Sequence, residues 1–138
     1  MKTIKHVTLF VFILSISGGA LSQDKNGKII LIRSTGFQGG LFKFEAFVDG
    51  QLTCKLADKE YSTHQLNVGK HTFTAQFSGK QMNKKALPIE VNVEEGKTYY
   101  LEMIYQVEPM RNILFFQEVT ENSVKPIFTT CIETKKCL

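Results

Sequence analysis

Between Tyr61 and Leu101 apolar and polar residues alternate with a period of two, and the runs are separated by turns that carry glycine. That period sends successive side chains to opposite faces of a strand, so the segment suits a sheet that buries one face and fits no amphipathic helix. His71, Phe73, Ala75 and Phe77 share one face, with Thr72, Thr74 and Gln76 on the other. Leu87, Ile89, Val91 and Val93 form a second one-sided run, which Pro88 places at a sheet edge or a strand start. The pairs Gly69-Lys70 and Gly96-Lys97 each open a strand, as hairpin turns do.

The same period extends in both directions. Lys28–Arg33 is apolar on both faces and is expected inside a sheet. Ser34–Gly40 (STGFQGG) is expected to be a flexible loop with Phe37 at its middle. In Leu41–Asp49, Phe42, Phe44, Ala46 and Val48 share one face and Lys43, Glu45 and Asp49 the other. Asp49-Gly50 is a strong hairpin signal, and Gln51–Ala57 returns as its partner strand. Tyr61–Leu66 follows a turn at Asp58-Lys59-Glu60, and Ser78–Lys85 is expected to be a solvated loop. Tyr99–Tyr105 and Ile113–Val119 are apolar on both faces and are expected to be central strands. After Lys125 the period weakens, leaving room for a last strand over Pro126–Thr130 and a tail. About eight strands at this spacing make an all-β sandwich or barrel.

The first 22 residues decide the expected compartment. A short basic start (Met1 to His6) precedes an apolar core, Val7–Ile16, and small residues at Ala20 and Ser22 mark a signal-peptidase site before Gln23. The apolar run is well short of the roughly 20 residues that span a bilayer, and no cysteine lies near the cut, so neither a transmembrane nor a lipid anchor is expected. Cleavage leaves 116 of the 138 residues: a polar leader over 23–27, a single domain over 28–120 and a tail over 121–138. The chain is then expected in the periplasm or outside the cell. Loss of Lys2 and Lys5 reduces the net charge from +4 to +2, and only Lys84-Lys85 and Lys135-Lys136 are adjacent basic pairs. Without a basic stripe carrying aromatics, nucleic acid is not an expected partner.

Three cysteines, Cys54, Cys131 and Cys137, are an odd number for an oxidising compartment. Cys54 shares its face with Leu52 and Leu56 and is expected to be a reduced, buried small hydrophobe. Cys131 and Cys137 flank the polar segment IETKK, which points to a disulfide closing a seven-residue loop. The rival is a bond from Cys54 to one tail cysteine, which would fasten the tail across the sheet.

The motifs Leu66-Asn67-Val68-Gly69-Lys70-His71-Thr72-Phe73, Phe77-Ser78-Gly79 and Val93-Glu94-Glu95-Gly96-Lys97-Thr98-Tyr99-Tyr100-Leu101, with the hairpin Val48-Asp49-Gly50, resemble PEGA-like domains and a related uncharacterised family of bacterial envelope proteins. The resemblance spans roughly Ile29 to Val119. It implies a small immunoglobulin-like antiparallel β-sandwich outside the cytoplasm. Val68 stands where the family usually has proline, the lipoprotein cysteine is missing, and the cysteine-bearing tail is an addition.

Little chemistry is written into these strands. His71 beside Phe73 suits a structural turn better than a ligand or base. Cys54, His64 and His71 lack ligand spacing for zinc, and a Cys54–His71 nucleophile pair would need an orienting carboxylate and an exposed thiolate. Neither catalytic residue nor metal nor cofactor is therefore expected. Tyr99, Tyr100, Tyr105, Phe115 and Phe116 suit core packing, and an exposed aromatic platform for sugars is the alternative. Phe37 has no strand to pack on and is the candidate for partner contact. The expected function is a non-catalytic envelope module that binds a protein partner or acts structurally. The alternative is a small carbohydrate-binding module, with a glycan as partner.

Overall fold

The computed structural model describes residues 25–37, 39–79, 85–135 and 137. The expected signal segment and its cleavage site lie outside the described residues. In chain order the elements are β1 (Asn26–Arg33), β2 (Phe44–Val48), β3 (Gln51–Leu56), β4 (Glu60–Asn67), β5 (Gly69–Phe77), β6 (Ile89–Val93), β7 (Thr98–Glu108), β8 (Arg111–Val119), α1 (Glu121–Phe128) and β9 (Ile132–Glu133).

They form a two-sheet β-sandwich. A five-stranded sheet in the order β8-β7-β1-β4-β9 faces a four-stranded sheet in the order β3-β2-β5-β6. Alternation supplies the core: Ile29 and Leu31 of β1 and Leu101 and Met103 of β7 meet Phe44 and Ala46 of β2 and Phe73 and Ala75 of β5. Asp49-Gly50 makes the β2–β3 hairpin with both residues at positive φ (51° and 79°), as a tight two-residue hairpin turn requires. Pro88 precedes β6, which lies at a sheet edge.

Several expectations need correction. The sheets are not wholly antiparallel, because β1 pairs parallel with β7 from Lys28↔Thr98 to Arg33↔Met103. A parallel pair needs a long crossover, and the entire four-stranded sheet lies within it. β8 is an edge strand, partly covered by a bridge from Leu87 to Phe115. Phe42, expected inside, is exposed, and Glu45, expected in solvent, is buried. Glu45 pairs with Lys55 Nζ at 2.9 Å and accepts from Gln76 Nε2 and the Gly79 N–H.

The expected strand over Pro126–Thr130 is instead the end of α1 and the turn after it. Thr120 caps the helix by accepting the Ser123 N–H at 3.3 Å. Val124 and Phe128, four residues apart, then share one helical face. Val124 is fully buried, and the Phe128 ring lies 4.9 Å from that of Tyr61 and 6.2 Å from that of Tyr100. Tyr61 stands opposite Ile32 and Tyr100 opposite Ile30, so α1 covers the outer face of the five-stranded sheet. This is why β1 is apolar on both faces. The tail continues to the other edge, where β9 adds to β4 through Ile132 N–H···O=C Lys59 (2.9 Å) and Thr134 N–H···O=C Tyr61 (2.8 Å).

The registers also define two ends. β1 finishes at Arg33, opposite Glu60 and Met103, and β2 begins at Phe44, opposite Leu56 and Phe77. The described residues of the 34–43 loop, the 57–59 turn, Ser78-Gly79 and the β7–β8 turn at Pro109-Met110 therefore gather at one end. Asp49-Gly50, Val68 and Glu94–Lys97 gather at the other.

Candidate functional site

The first of these ends carries an apolar surface. Phe37, Leu41 and Met110 are essentially fully exposed, at 104%, 96% and 98%. Phe42, Phe77, Leu87 and Val107 are exposed around them. Among the described residues this end carries one charge pair at its surface, Arg111–Glu108, whereas the opposite end and its flank carry four: Lys25–Glu95, Lys97–Glu94, Lys70–Glu90 and His71–Asp49. Scattered single apolar residues on a surface are ordinary, whereas their concentration at one end makes that end the candidate site.

Arg33 builds the base of that end. Its side chain is fully buried, and its guanidinium donates to the carbonyls of Phe42 (2.5 Å), Leu56 (2.7 Å) and Gly39 (2.7 Å) and to Thr35 Oγ1 (3.2 Å). The same group lies 3.5 Å from the Phe44 ring centroid. Burial lowers the guanidinium pKa, while the charges of Asp58 and Glu60 oppose that shift. Asp58 Oδ1 accepts the N–H groups of Thr35 (2.9 Å) and Gly36 (3.0 Å), fastening the start of the loop to the β3–β4 turn. Gly39 has φ +73°, and a Cβ there would stand 2.7 Å from Phe44 Cζ, so its glycine is required twice over. The expected flexible loop is thus held by side chains at both ends. Gly36, Phe37, Leu41, Phe42, Asp58 and Lys59 surround a surface hollow of about 550 Å³.

The sheet aromatics are packed against other side chains. Phe116 is buried, Tyr105 stacks against Phe44 and Phe77, and Tyr100 lies under α1. Tyr99 donates its hydroxyl to the Asn92 carbonyl. They do not form an open platform on a sheet face.

The disulfide differs from the expected one. Cys137 bonds to Cys54, with Cα atoms 4.3 Å apart, and Cys131 is a free thiol. Cys131 is held at the end of α1, where its N–H donates to the Ile127 carbonyl at 3.1 Å. Its Sγ lies 4.0 Å from the Arg33 carbonyl, and burial pushes its pKa up. Cys137, four residues beyond β9, reaches across the flank to the inward-facing Cys54 of β3. Cys54 is buried as expected, but it is not reduced.

The two strand histidines, His64 and His71, part company. His71 Nδ1 lies 2.7 Å from Asp49 Oδ2, and its Nε2 lies 2.9 Å from the Asn67 carbonyl. His64 instead faces Cys54 and Cys137: a ring nitrogen and the two Sγ atoms lie within 4.8 Å of one another. Ser62 Oγ holds His64 Nε2 at 2.9 Å, and burial lowers the His64 pKa. Sequence spacing gave no reason to group Cys54 with His64, and the structure brings the two together with Cys137 while His71 lies apart, bonded to Asp49. The inward phase of Cys54 was legible, but the path of the tail was not. Arg33 was missed because a strand-terminal arginine gives no sign of burial.

The chain matches no family model, no curated protein and no solved structure. Among the described residues, no helix is long and apolar enough to cross a membrane.

Proposed function

We propose that this protein is a non-catalytic, exported β-sandwich module of the bacterial cell envelope that binds a protein partner through its apolar end. The observation that carries this reading is the loop between β1 and β2. Phe37 and Leu41 project fully into solvent from a loop whose base is fixed by Arg33 and Asp58. A loop already held in place loses little conformational entropy on binding, and exposed aromatic and aliphatic anchors are the side chains that dominate protein interfaces. The resemblance to PEGA-like domains supports the envelope assignment, and the leader-like first 22 residues support export. The Cys54–Cys137 disulfide fits an oxidising compartment.

The packing of Tyr99, Tyr100, Tyr105 and Phe116 leaves no aromatic platform on a sheet face. The exposed Phe37 and Phe42 stand among the aliphatic Leu41, Leu87, Val107 and Met110, a mixture that suits a protein better than a sugar. The test compares wild type with Phe37→Ser/Leu41→Ser for capture from envelope extract, beside a glycan array. A protein captured by wild type and lost in the double variant is the expected result. Glycan binding retained by both proteins would overturn the proposal.

A further inference from the structure

On the flank between β3 and β4, three groups that bind soft metal ions converge, and the proposed interaction end makes no use of them. Cys54 comes from one sheet, His64 from the other and Cys137 from the tail. Their donor atoms lie within 4.8 Å of one another. In a tetrahedral zinc site, with Zn–S near 2.3 Å and Zn–N near 2.0 Å, ligand atoms stand about 3.5–3.8 Å apart. Binding a shared ion therefore requires the two sulfurs to separate and the imidazole, within 4.8 Å of them, to move in by no more than about 1.3 Å. Cys54 is wholly buried, and Ser62, also buried, holds His64 Nε2 at 2.9 Å. A hydroxyl in that place is the kind of outer partner that orients a ligating imidazole.

We propose that opening the Cys54–Cys137 bond with a dithiol reductant turns this flank into a Zn²⁺ site made of Cys54, His64 and Cys137. The dithiol gives up two electrons and two protons and becomes its own disulfide, while Cys54 and Cys137 become thiols. Zn²⁺ then displaces the two thiol protons, which pass to solvent, and binds both thiolates and the neutral imidazole. One position of a tetrahedral ion is left for water. Oxidised, the tail is tied to β3 by a covalent bond; reduced, the ion ties it to both sheets. Cys131, at the end of α1, and His71, bonded to Asp49, take no part.

The test uses the full mature chain, reduced anaerobically with dithiothreitol and freed of reductant. It is titrated with Co²⁺ as a spectroscopic probe and then with Zn²⁺. The expected result is one Co²⁺ per chain, with the thiolate-to-cobalt absorption of two sulfurs and the visible bands of a tetrahedral ion, all displaced by one equivalent of Zn²⁺. His64→Ala should weaken Zn²⁺ binding by about 100-fold or more, at least what loss of an outer partner costs. Cys131→Ser should bind as wild type does, and the oxidised protein should not bind. Absence of a one-to-one complex, unchanged binding in His64→Ala or Cys137→Ser, or dependence on Cys131 would overturn the proposal. Far-ultraviolet circular dichroism guards against a trivial failure. A reduced chain that loses its β signal and does not regain it with Zn²⁺ also overturns the proposal.

Discussion

Arg33 places its guanidinium 3.5 Å from the ring centroid of Phe44, at the point where β1 ends and β2 begins. The loop between them returns to that pair through the carbonyls of Gly39 and Phe42. The loop that carries Phe37 and Leu41 is therefore anchored on a buried cation at the rim of the core.

Replacing Arg33 with Met would leave the carbonyls of Gly39, Phe42 and Leu56 short of a donor. A cost of about 3 kcal/mol is expected, in the range of a lost buried polar network. Urea denaturation should show the loss, and hydrogen exchange should accelerate over the 34–43 loop. Arg33→Lys should recover only part of the stability, because one ammonium cannot reproduce the fork and the ring contact.

The cysteine pairing gives a sharp contrast between two variants. The Cys54–Cys137 bond spans a sequence separation of 83 residues. Chain-entropy reasoning gives such a loop up to about 4.5 kcal/mol, against roughly 2.4 kcal/mol for the seven-residue Cys131–Cys137 loop that sequence spacing suggested. Under non-reducing conditions Cys137→Ser should lower stability by about 3–4.5 kcal/mol, whereas Cys131→Ser should change it little. Non-reducing peptide mapping should recover a cross-linked peptide containing Cys54.

Strand placement was legible because burial of one sheet face imposes a two-residue period on Phe42–Val48, His71–Phe77 and Leu87–Val93, while β1, β7 and β8 stood out as apolar runs between turns. What failed was information held between distant segments. Cys54 declared its face, yet the tail that meets it arrives by way of a helix, where the sequence suggested a strand over Pro126–Thr130. Thr120, Val124 and Phe128 carry the helical signal, a cap and a four-residue spacing, over only eight residues. Phe37 was legible as an aromatic without a strand. Arg33, Leu41 and Met110 became part of the same end only through the register of β1, β2 and β7.

His71 and Asp49 give the expected pH dependence. Both His71 ring nitrogens face acceptors, so only the imidazolium satisfies both. Burial lowers the His71 pKa, but Asp49 and the Asn67 carbonyl outweigh it and leave the value raised. Burial raises the Asp49 pKa, and the Thr72 N–H and His71 outweigh it and leave the value lowered. A raised histidine pKa contributes stability below the unfolded value of about 6.5 that is lost as pH rises through the folded value. A lowered aspartate pKa contributes stability above about 3.9 that is lost as pH falls through the folded value. The stability gap between wild type and His71→Gln should therefore be widest between about pH 4 and pH 6.5 and should narrow above pH 7. Thermal melts across that range check it; a gap that widens above pH 7 would be inconsistent with the ion pair.

Exposed loop residues should matter for binding and not for folding. Phe37→Ser/Leu41→Ser removes side chains that touch solvent, so stability should stay within about 0.5 kcal/mol of wild type. Gly39→Ala should be the opposite case, destabilising through φ +73° and the Phe44 ring. Denaturation midpoints of the two variants separate the effects.

The most direct test of an interacting apolar end places a photo-crosslinking amino acid at position 37, at position 110 or at position 68, the last being an exposed apolar site at the far end. Irradiation in intact cells should give one discrete protein adduct from positions 37 and 110 and none from position 68. Adducts from position 68 alone, or no adduct from 37 and 110, would contradict the account.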